Sequence, residues 1–191
     1  ILKKLTGTAA IGHTRYSTAR KNTIKEVQPF SVTCQHGKIA VCHNGNLPFA
    51  DQRRSELEQS GAIFSSTSDT ETILHGIART PAGNAIEAIE KVLKDTEGAF
   101  CLLFLTPTAM IAVRDPRGFR PLVLGKFQDA WCVASETCAF DLIDAEYVET
   151  RTEKIDEISS AAAAGVKNPE WFTKAVVEEL IEKINIDVAR E

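Results

Sequence analysis

Ala99-Phe100-Cys101-Leu102-Leu103-Phe104-Leu105, Met110-Ile111-Ala112-Val113-Arg114, Leu122-Val123-Leu124-Gly125-Lys126-Phe127 and Ala130-Trp131-Cys132-Val133-Ala134 are short apolar runs separated by Thr106-Pro107-Thr108, Pro116-Arg117-Gly118 and Gln128-Asp129 turn material. Runs of this length and spacing predict an antiparallel meander. The Phe100 to Leu105 run has no polar alternation, which predicts a strand covered on both faces. Upstream the period changes. Residues 47–60 read as a surface helix bounded by Gly61, and a second helix runs from Ser68 to Arg79, with Ser68 and Glu71 spaced as a capping box. Asn84 to Lys94 forms a third, with Ile86, Ile89, Val92 and Leu93 on one face. Before the helices, Thr8-Ala9-Ala10-Ile11-Gly12-His13 reads as a buried strand entering a polar loop. Lys38-Ile39-Ala40-Val41-Cys42-His43 reads as a strand that ends at Asn44-Gly45. Strands, then helices, then strands, joined by short connections, imply an α+β layered fold and not a doubly wound parallel sheet.

Residues 151–191 differ in kind. They carry six basic against nine acidic residues, within a net charge of −4 for the 191-residue chain. Ser159 to Gly165 reads as a linker or a helix end. Asn168-Pro169-Glu170 is a helix start, and Val177, Ile181, Ile184 and Val188 make a helical stripe. The expected organisation is therefore a domain over residues 1–150 followed by an acidic linker and amphipathic helix over 151–191.

A chain of 191 residues with 43% hydrophobic and 25% charged residues can build one full domain with a core. No basic patch points to nucleic acid, and no apolar run reaches the length of a membrane span. Cytoplasm or an organelle stroma is the expected compartment. Cys34, Cys42, Cys101, Cys132 and Cys138 are odd in number and lack paired spacing, so a disulfide framework is not expected. Cys34, His36, Cys42 and His43 crowd together, but adjacent strand residues point to opposite faces and no zinc-like spacing occurs, so no metal is expected.

Three segments offer chemistry: Gly12-His13-Thr14-Arg15-Tyr16-Ser17-Thr18, His43-Asn44-Gly45-Asn46 and Ser68-Asp69-Thr70-Glu71. Arg15 has the fork that fits an α-carboxylate, or it makes a structural salt bridge. Asp69 is able to accept from an α-ammonium group, or it is a plain helix cap. The Asn44 side-chain amide and the Gly45 N–H are two donors suited to an oxyanion, or the pair is a hairpin turn. His43 braces the loop. Arg114-Asp115-Pro116-Arg117-Gly118-Phe119-Arg120-Pro121-Leu122 is a charged turn whose charges organise it by internal pairing.

These segments, with Gln28-Pro29-Phe30, the Arg114–Leu122 turn and Ala134-Ser135-Glu136-Thr137-Cys138-Ala139-Phe140-Asp141, occur in an order and spacing that resemble the glutaminase domain of the amidophosphoribosyltransferases, which are class II glutamine amidotransferases. The resemblance covers roughly residues 1–150. It implies an N-terminal-nucleophile hydrolase-like, four-layer αββα sandwich, expected to lack its N-terminal side here because the family opens with a cysteine and this sequence opens with Ile1.

The resemblance also implies a reaction. An N-terminal cysteine thiol attacks the glutamine amide with its own α-amine as base, ammonia leaves, and water hydrolyses the thioester. Ammonia then passes to phosphoribosylpyrophosphate to make phosphoribosylamine in purine biosynthesis. By the same resemblance Arg15 and Asp69 hold glutamine, Tyr16 and Thr18 belong to a loop closing over it, and Asn44 with Gly45 form the oxyanion hole. No cofactor is implied for this region. Magnesium would accompany phosphoribosylpyrophosphate in a synthase domain, through which the protein would form a homo-oligomer. Two alternatives stand beside this: a catalytically silent glutamine-binding or assembly module, and the glutaminase domain of another amidotransferase such as glucosamine-6-phosphate synthase.

Overall fold

The computed structural model describes residues 9–15, 23–128 and 130–150. Tyr16, Thr18 and the expected linker and helix of 151–191 lie outside the described residues. Sheet A contains β1 (Phe30–Cys34), β2 (Gly37–Asn46), β3 (Ala99–Leu105) and β4 (Met110–Arg114), antiparallel and in that order. Three helices lie between β2 and β3 in the chain: α1 (Ala50–Gln59), α2 (Thr70–Arg79) and α3 (Ala85–Lys94). Sheet B is built from β5 (Val123–Phe127), β6 (Ala130–Ala134) and β7 (Glu146–Thr150), with β5 in the centre and the short helix α4 (Cys138–Asp141) before β7.

The strands of the expected meander are all present, but they divide between two sheets. The cause lies in the turn after β4. Arg114 directs Nε to the Arg120 carbonyl at 2.5 Å and Nη2 to the Gly118 carbonyl at 2.6 Å. Asp115, fully buried, accepts from the backbone N–H groups of Arg117, Phe119 and Phe100. The two charged side chains thus organise the turn through its backbone and not by pairing with each other. Their contacts fold residues 115–120 into a compact knot, from which the chain enters sheet B.

Apolar residues of sheet A, including Ile39, Val41, Phe100, Leu102 and Phe104, share one core with Ile73 and Ile77 of α2 and Ile89 and Val92 of α3. Burial of each such side chain contributes about 1.5–3 kcal/mol. β3 is buried along most of its length on both faces, as its unbroken apolar run predicts. α3 starts where expected: the Asn84 side chain accepts from Glu87 N at 2.9 Å, a cap that contributes about 1 kcal/mol. α1 is a surface helix with only Ala50 buried. It stops at Gly61, whose φ of +88° lets Gly61 N and Ala62 N reach the Glu58 and Leu57 carbonyls.

Two local expectations change. Residues 9–15 form no strand; they run without regular structure, alternate residues exposed, and their contacts with β2 include the Cys42 thiol, 3.7 Å from the Gly12 carbonyl. The start of α2 is not a Ser68–Glu71 capping box. Asp69 is the cap, accepting from Thr70 N at 2.9 Å. Glu71 turns away to accept from the backbone and hydroxyl of both Ser65 and Ser66, at 2.7–2.9 Å. Four donors upstream outcompete the single N–H that a capping box would supply.

Candidate functional site

Asn44 and Gly45 lie within β2, paired with Cys101 and Phe100 of β3, so the pair is not the turn of a hairpin. Glycine is required at 45 by close approach. A Cβ there would sit 2.0 Å from the Ala99 carbonyl oxygen and 2.8 Å from both the Phe100 Cα and the His43 Nε2. The neighbouring Asn44 is half-buried. Its amide nitrogen lies 3.5 Å from the Ser135 hydroxyl, a long contact that leaves the NH2 group free to turn to a stronger acceptor.

His43 joins the segments that sequence reading could only place side by side. The residue is buried. Its backbone N–H donates to Gln28 Oε1 at 2.6 Å, and its Nδ1 lies 3.1 Å from Thr70 Oγ1 and 3.6 Å from Asp69 Oδ1. The Nε2 atom faces the Gly45 backbone and is buried without a hydrogen-bond partner among the described residues. The imidazole therefore touches the carboxylate at 69 on one edge and the glycine at 45 on the other. The expectation that His43 braces the loop agrees with these contacts.

Asp69 is held firmly. Besides Thr70 N on Oδ1, its Oδ2 accepts from Leu47 N at 3.1 Å, tying the start of α2 to the residue that follows Asn46. It is a helix cap, as one reading had it, and it also reaches the end of β2. A carboxylate fixed by two backbone donors and one ring presents its charge in a set direction.

Arg15 donates Nη1 to the Glu26 carbonyl at 3.0 Å, while Nε is buried with no partner among the described residues. With Nη1 anchored, a bidentate fork onto a carboxylate would use the Nε–Nη2 edge. His13, two residues earlier, bonds to the His43 backbone and leaves Nδ1 buried with no partner among the described residues. Burial, aided by the adjacent His43 and Arg15 charges, holds its pKa below the ordinary 6.5 against the raising effect of that backbone bond.

Glu26 was not among the residues singled out, and nothing in Thr23-Ile24-Lys25-Glu26-Val27 marks it. It is buried, and its Oε1 accepts from Thr67 N at 2.8 Å and Thr67 Oγ1 at 3.0 Å. Thr70 and Gln28, which hold His43, lay within quoted motif strings but were given no role.

The thiols near the site are poor nucleophiles. Burial pushes Cys42 up to about 11 and Cys101, opposite Asn44 in the ladder, up to about 12, so both stay protonated at neutral pH. All five cysteines are free thiols. Among the described residues no group of three or more His, Cys, Asp and Glu side chains is placed to hold a metal ion, and no helix is long and apolar enough to cross a membrane. Clefts of about 140 and 590 Å³ open beside Phe49, Arg53 and Glu97, and their walls contain none of Arg15, Asn44, Gly45 and Asp69.

A model of the glutamine amidotransferase domain matches residues 13–141, which include every segment just described. The chain belongs to the glutamine amidotransferase family. This amidotransferase domain is 46% identical over 147 residues to amidophosphoribosyltransferase 3, chloroplastic, of Arabidopsis thaliana, covering 76% of the chain and 28% of the relative. It is 44% identical over 148 residues to the amidophosphoribosyltransferase of Bacillus subtilis, covering 77% and 31%.

Among solved structures, it resembles glutamine phosphoribosylpyrophosphate amidotransferase from B. subtilis complexed with ADP and GMP, with a TM-score of 0.68, 40% identity and coverage of 74% and 30%. A structure described as the allosteric regulatory enzyme of purine biosynthesis gives a TM-score of 0.70 at 42% identity, again over 74% of this chain and 30% of the other. The fold is accordingly α+β, of the N-terminal-nucleophile hydrolase type, as the motif strings implied. The amidotransferase domain spans less than a third of the length of each of these relatives.

Proposed function

We propose that this chain is the glutamine-hydrolysing part of an amidophosphoribosyltransferase. The observation that carries the reading is the His43 ring, which lies against Asp69 at one edge and Gly45 at the other. An acceptor for an ammonium group and one donor for an oxyanion, the Gly45 N–H, thereby flank one ring; Asn44 would add its amide from the neighbouring position on β2, and Arg15 joins through Glu26. In the reaction, the Nε–Nη2 edge of Arg15 forks onto the α-carboxylate of glutamine and Asp69 takes the α-ammonium. When a thiolate adds to the side-chain amide, the carbonyl oxygen becomes negative. The Asn44 NH2 and Gly45 N–H stabilise it, the type of interaction whose loss costs 10²–10³ in rate. Ammonia leaves, and water releases glutamate from the thioester.

Tyr16 and Thr18 would belong to the loop covering glutamine. The nucleophile is an N-terminal cysteine in this reading; the cysteines of this sequence are all internal. The ammonia would displace pyrophosphate from magnesium-bound phosphoribosylpyrophosphate in a synthase domain, giving phosphoribosylamine for purine synthesis in a homo-oligomer of the cytoplasm or an organelle stroma.

The test is glutamine titration by calorimetry with glutamate and ammonia assayed in parallel. Asp69→Asn is the informative variant, since asparagine keeps the helix cap and removes the charge that an ammonium group needs. Glutamine affinity is expected to fall at least about tenfold. Unchanged affinity would overturn the reading, whereas binding without release of either product would favour a silent glutamine-binding module.

A further inference from the structure

Arg15 and Asp69 lie far apart in sequence, yet an α-amino acid offers them a carboxylate and an ammonium on a single carbon. Something must fix the separation of the two side chains, because a displacement of about 1 Å is enough to cost 10²-fold in a positioned site. The His43 ring fixes Asp69 relative to Gly45, but among the described residues it makes no hydrogen bond to Arg15. The path from Arg15 to Asp69 runs elsewhere. Arg15 Nη1 donates to the Glu26 carbonyl at 3.0 Å, and the Glu26 carboxylate accepts from both Thr67 N at 2.8 Å and Thr67 Oγ1 at 3.0 Å. Thr67 is two residues before Asp69, whose carboxylate is in turn fixed by Thr70 N and Leu47 N. Glu26 is only 3% exposed, so the clasp is shielded from water that would otherwise compete for its donors.

On the strength of the glutamine site proposed above, we infer that Glu26 is a specificity-determining positioning residue. By clasping the 65–69 loop with its side chain and Arg15 with its backbone, it sets the gap between the carboxylate-binding and ammonium-binding groups. A ligand is thereby required to carry both groups on one carbon. Glu26 touches no reacting atom. What the clasp needs is an acceptor oxygen at Oε1, and charge is secondary.

The experiment uses the full-length protein that carries this domain and two unreactive probes: L-glutamate, which has both end groups, and glutarate, which lacks the ammonium. Calorimetry on Glu26→Ala should show L-glutamate binding weakened about tenfold and glutarate binding changed less than about threefold, so that the preference between them collapses. Glu26→Gln keeps an acceptor oxygen and should restore the preference to within about threefold of the parent. A merely structural role would lower the melting temperature of Glu26→Ala while leaving the preference intact, and that result overturns the inference. Equal loss in Glu26→Gln and Glu26→Ala overturns it too, because charge and not clasp geometry would then be acting. Should Glu26→Ala fail to fold, Thr67→Val, which removes the hydroxyl donor alone, decides in the same way: a reduced preference supports the clasp and an unchanged one overturns it. Arg15→Ala is the control for the underlying site. If it leaves L-glutamate affinity intact, the site reading itself fails; if it abolishes affinity while Glu26→Ala leaves both affinity and preference unchanged, only the clasp fails.

Discussion

The turn at Arg114–Leu122 and the cluster around His43 are both rich in charge, yet they dispose of it in opposite ways. In the turn, Asp115 accepts from three backbone N–H groups and Arg114 gives Nε and Nη2 to two carbonyls, so that among the described residues Nη1 alone of this pair lacks a partner. Around His43, three residues each keep a buried nitrogen with no partner among the described residues: His13 Nδ1, Arg15 Nε and His43 Nε2. Buried polar groups are normally satisfied because leaving one unpaired costs about 1–3 kcal/mol. On the reading proposed above, the unpaired nitrogens around His43 would be met by a ligand or by water. On that reading the difference separates a structural knot from a binding site even where the residue types are similar.

The comparison can be broken most decisively at Asn44. Its alanine variant, in the full-length protein, is expected to lower glutamine turnover by roughly 10²–10³, while stability to urea changes by no more than about 0.5 kcal/mol, because its long Ser135 contact is exposed. A large loss of stability would place Asn44 with the structural residues instead. Asp115→Ala should do the reverse. Three buried N–H groups lose their acceptor, so urea unfolding should show a loss of about 3 kcal/mol or more, with the glutamine affinity of the folded protein retained. Weakened affinity at unchanged stability would dissolve the contrast. Arg15→Ala removes a charged fork, and calorimetry should find ligand affinity reduced about tenfold or more at little cost in melting temperature.

The smallest effect concerns pH. His13 has a folded pKa below its ordinary 6.5, so the unfolded chain takes up a proton first as pH falls; its contribution is complete above 6.5 and is lost on acidification below that value. Glu71, despite burial that raises its pKa, is held lower overall by Ser65 and Ser66, and its contribution is lost only below the ordinary 4.5. His13→Gln should flatten the stability profile just below pH 6.5 and leave the more acid limb in place, as followed by urea midpoints across pH. An unaltered profile would remove His13 from the cluster's electrostatics.

Much of this was readable in the sequence for a physical reason. β3 declared itself through an apolar run that only a strand covered on both faces explains, and α3 through an apolar stripe and an asparagine cap. Asn44, Gly45, Asp69 and Arg15 were marked by residue type, since few side chains can bind an oxyanion, an ammonium or a carboxylate. What stayed hidden was decided by contacts between distant residues. The division of the strands into two sheets depends on Asp115 meeting Phe100 N, and the cap of α2 depends on Glu71 finding Ser65 and Ser66 more rewarding than Ser68. Glu26 is the extreme case: an ordinary acid in an ordinary polar stretch, whose importance exists only when Thr67 and Arg15 are folded against it.

β2 runs for ten residues, and residues Ala40 to Asn46 pair in unbroken sequence with Leu105 to Ala99. Side chains alternate along such a ladder, so His43 and Asn44 are assigned to opposite faces by parity alone. The faces taken by the oxyanion candidate and by the His43 ring are thus a matter of phase, kept in step by every pair between the β1 hairpin and the site. Insertion of a single residue between Ala40 and Cys42 would leave each local motif intact in spelling while exchanging the faces on which they act. Insertion of two would restore the faces but shift the reach. The site is therefore encoded in the count of residues along this strand as much as in their identity.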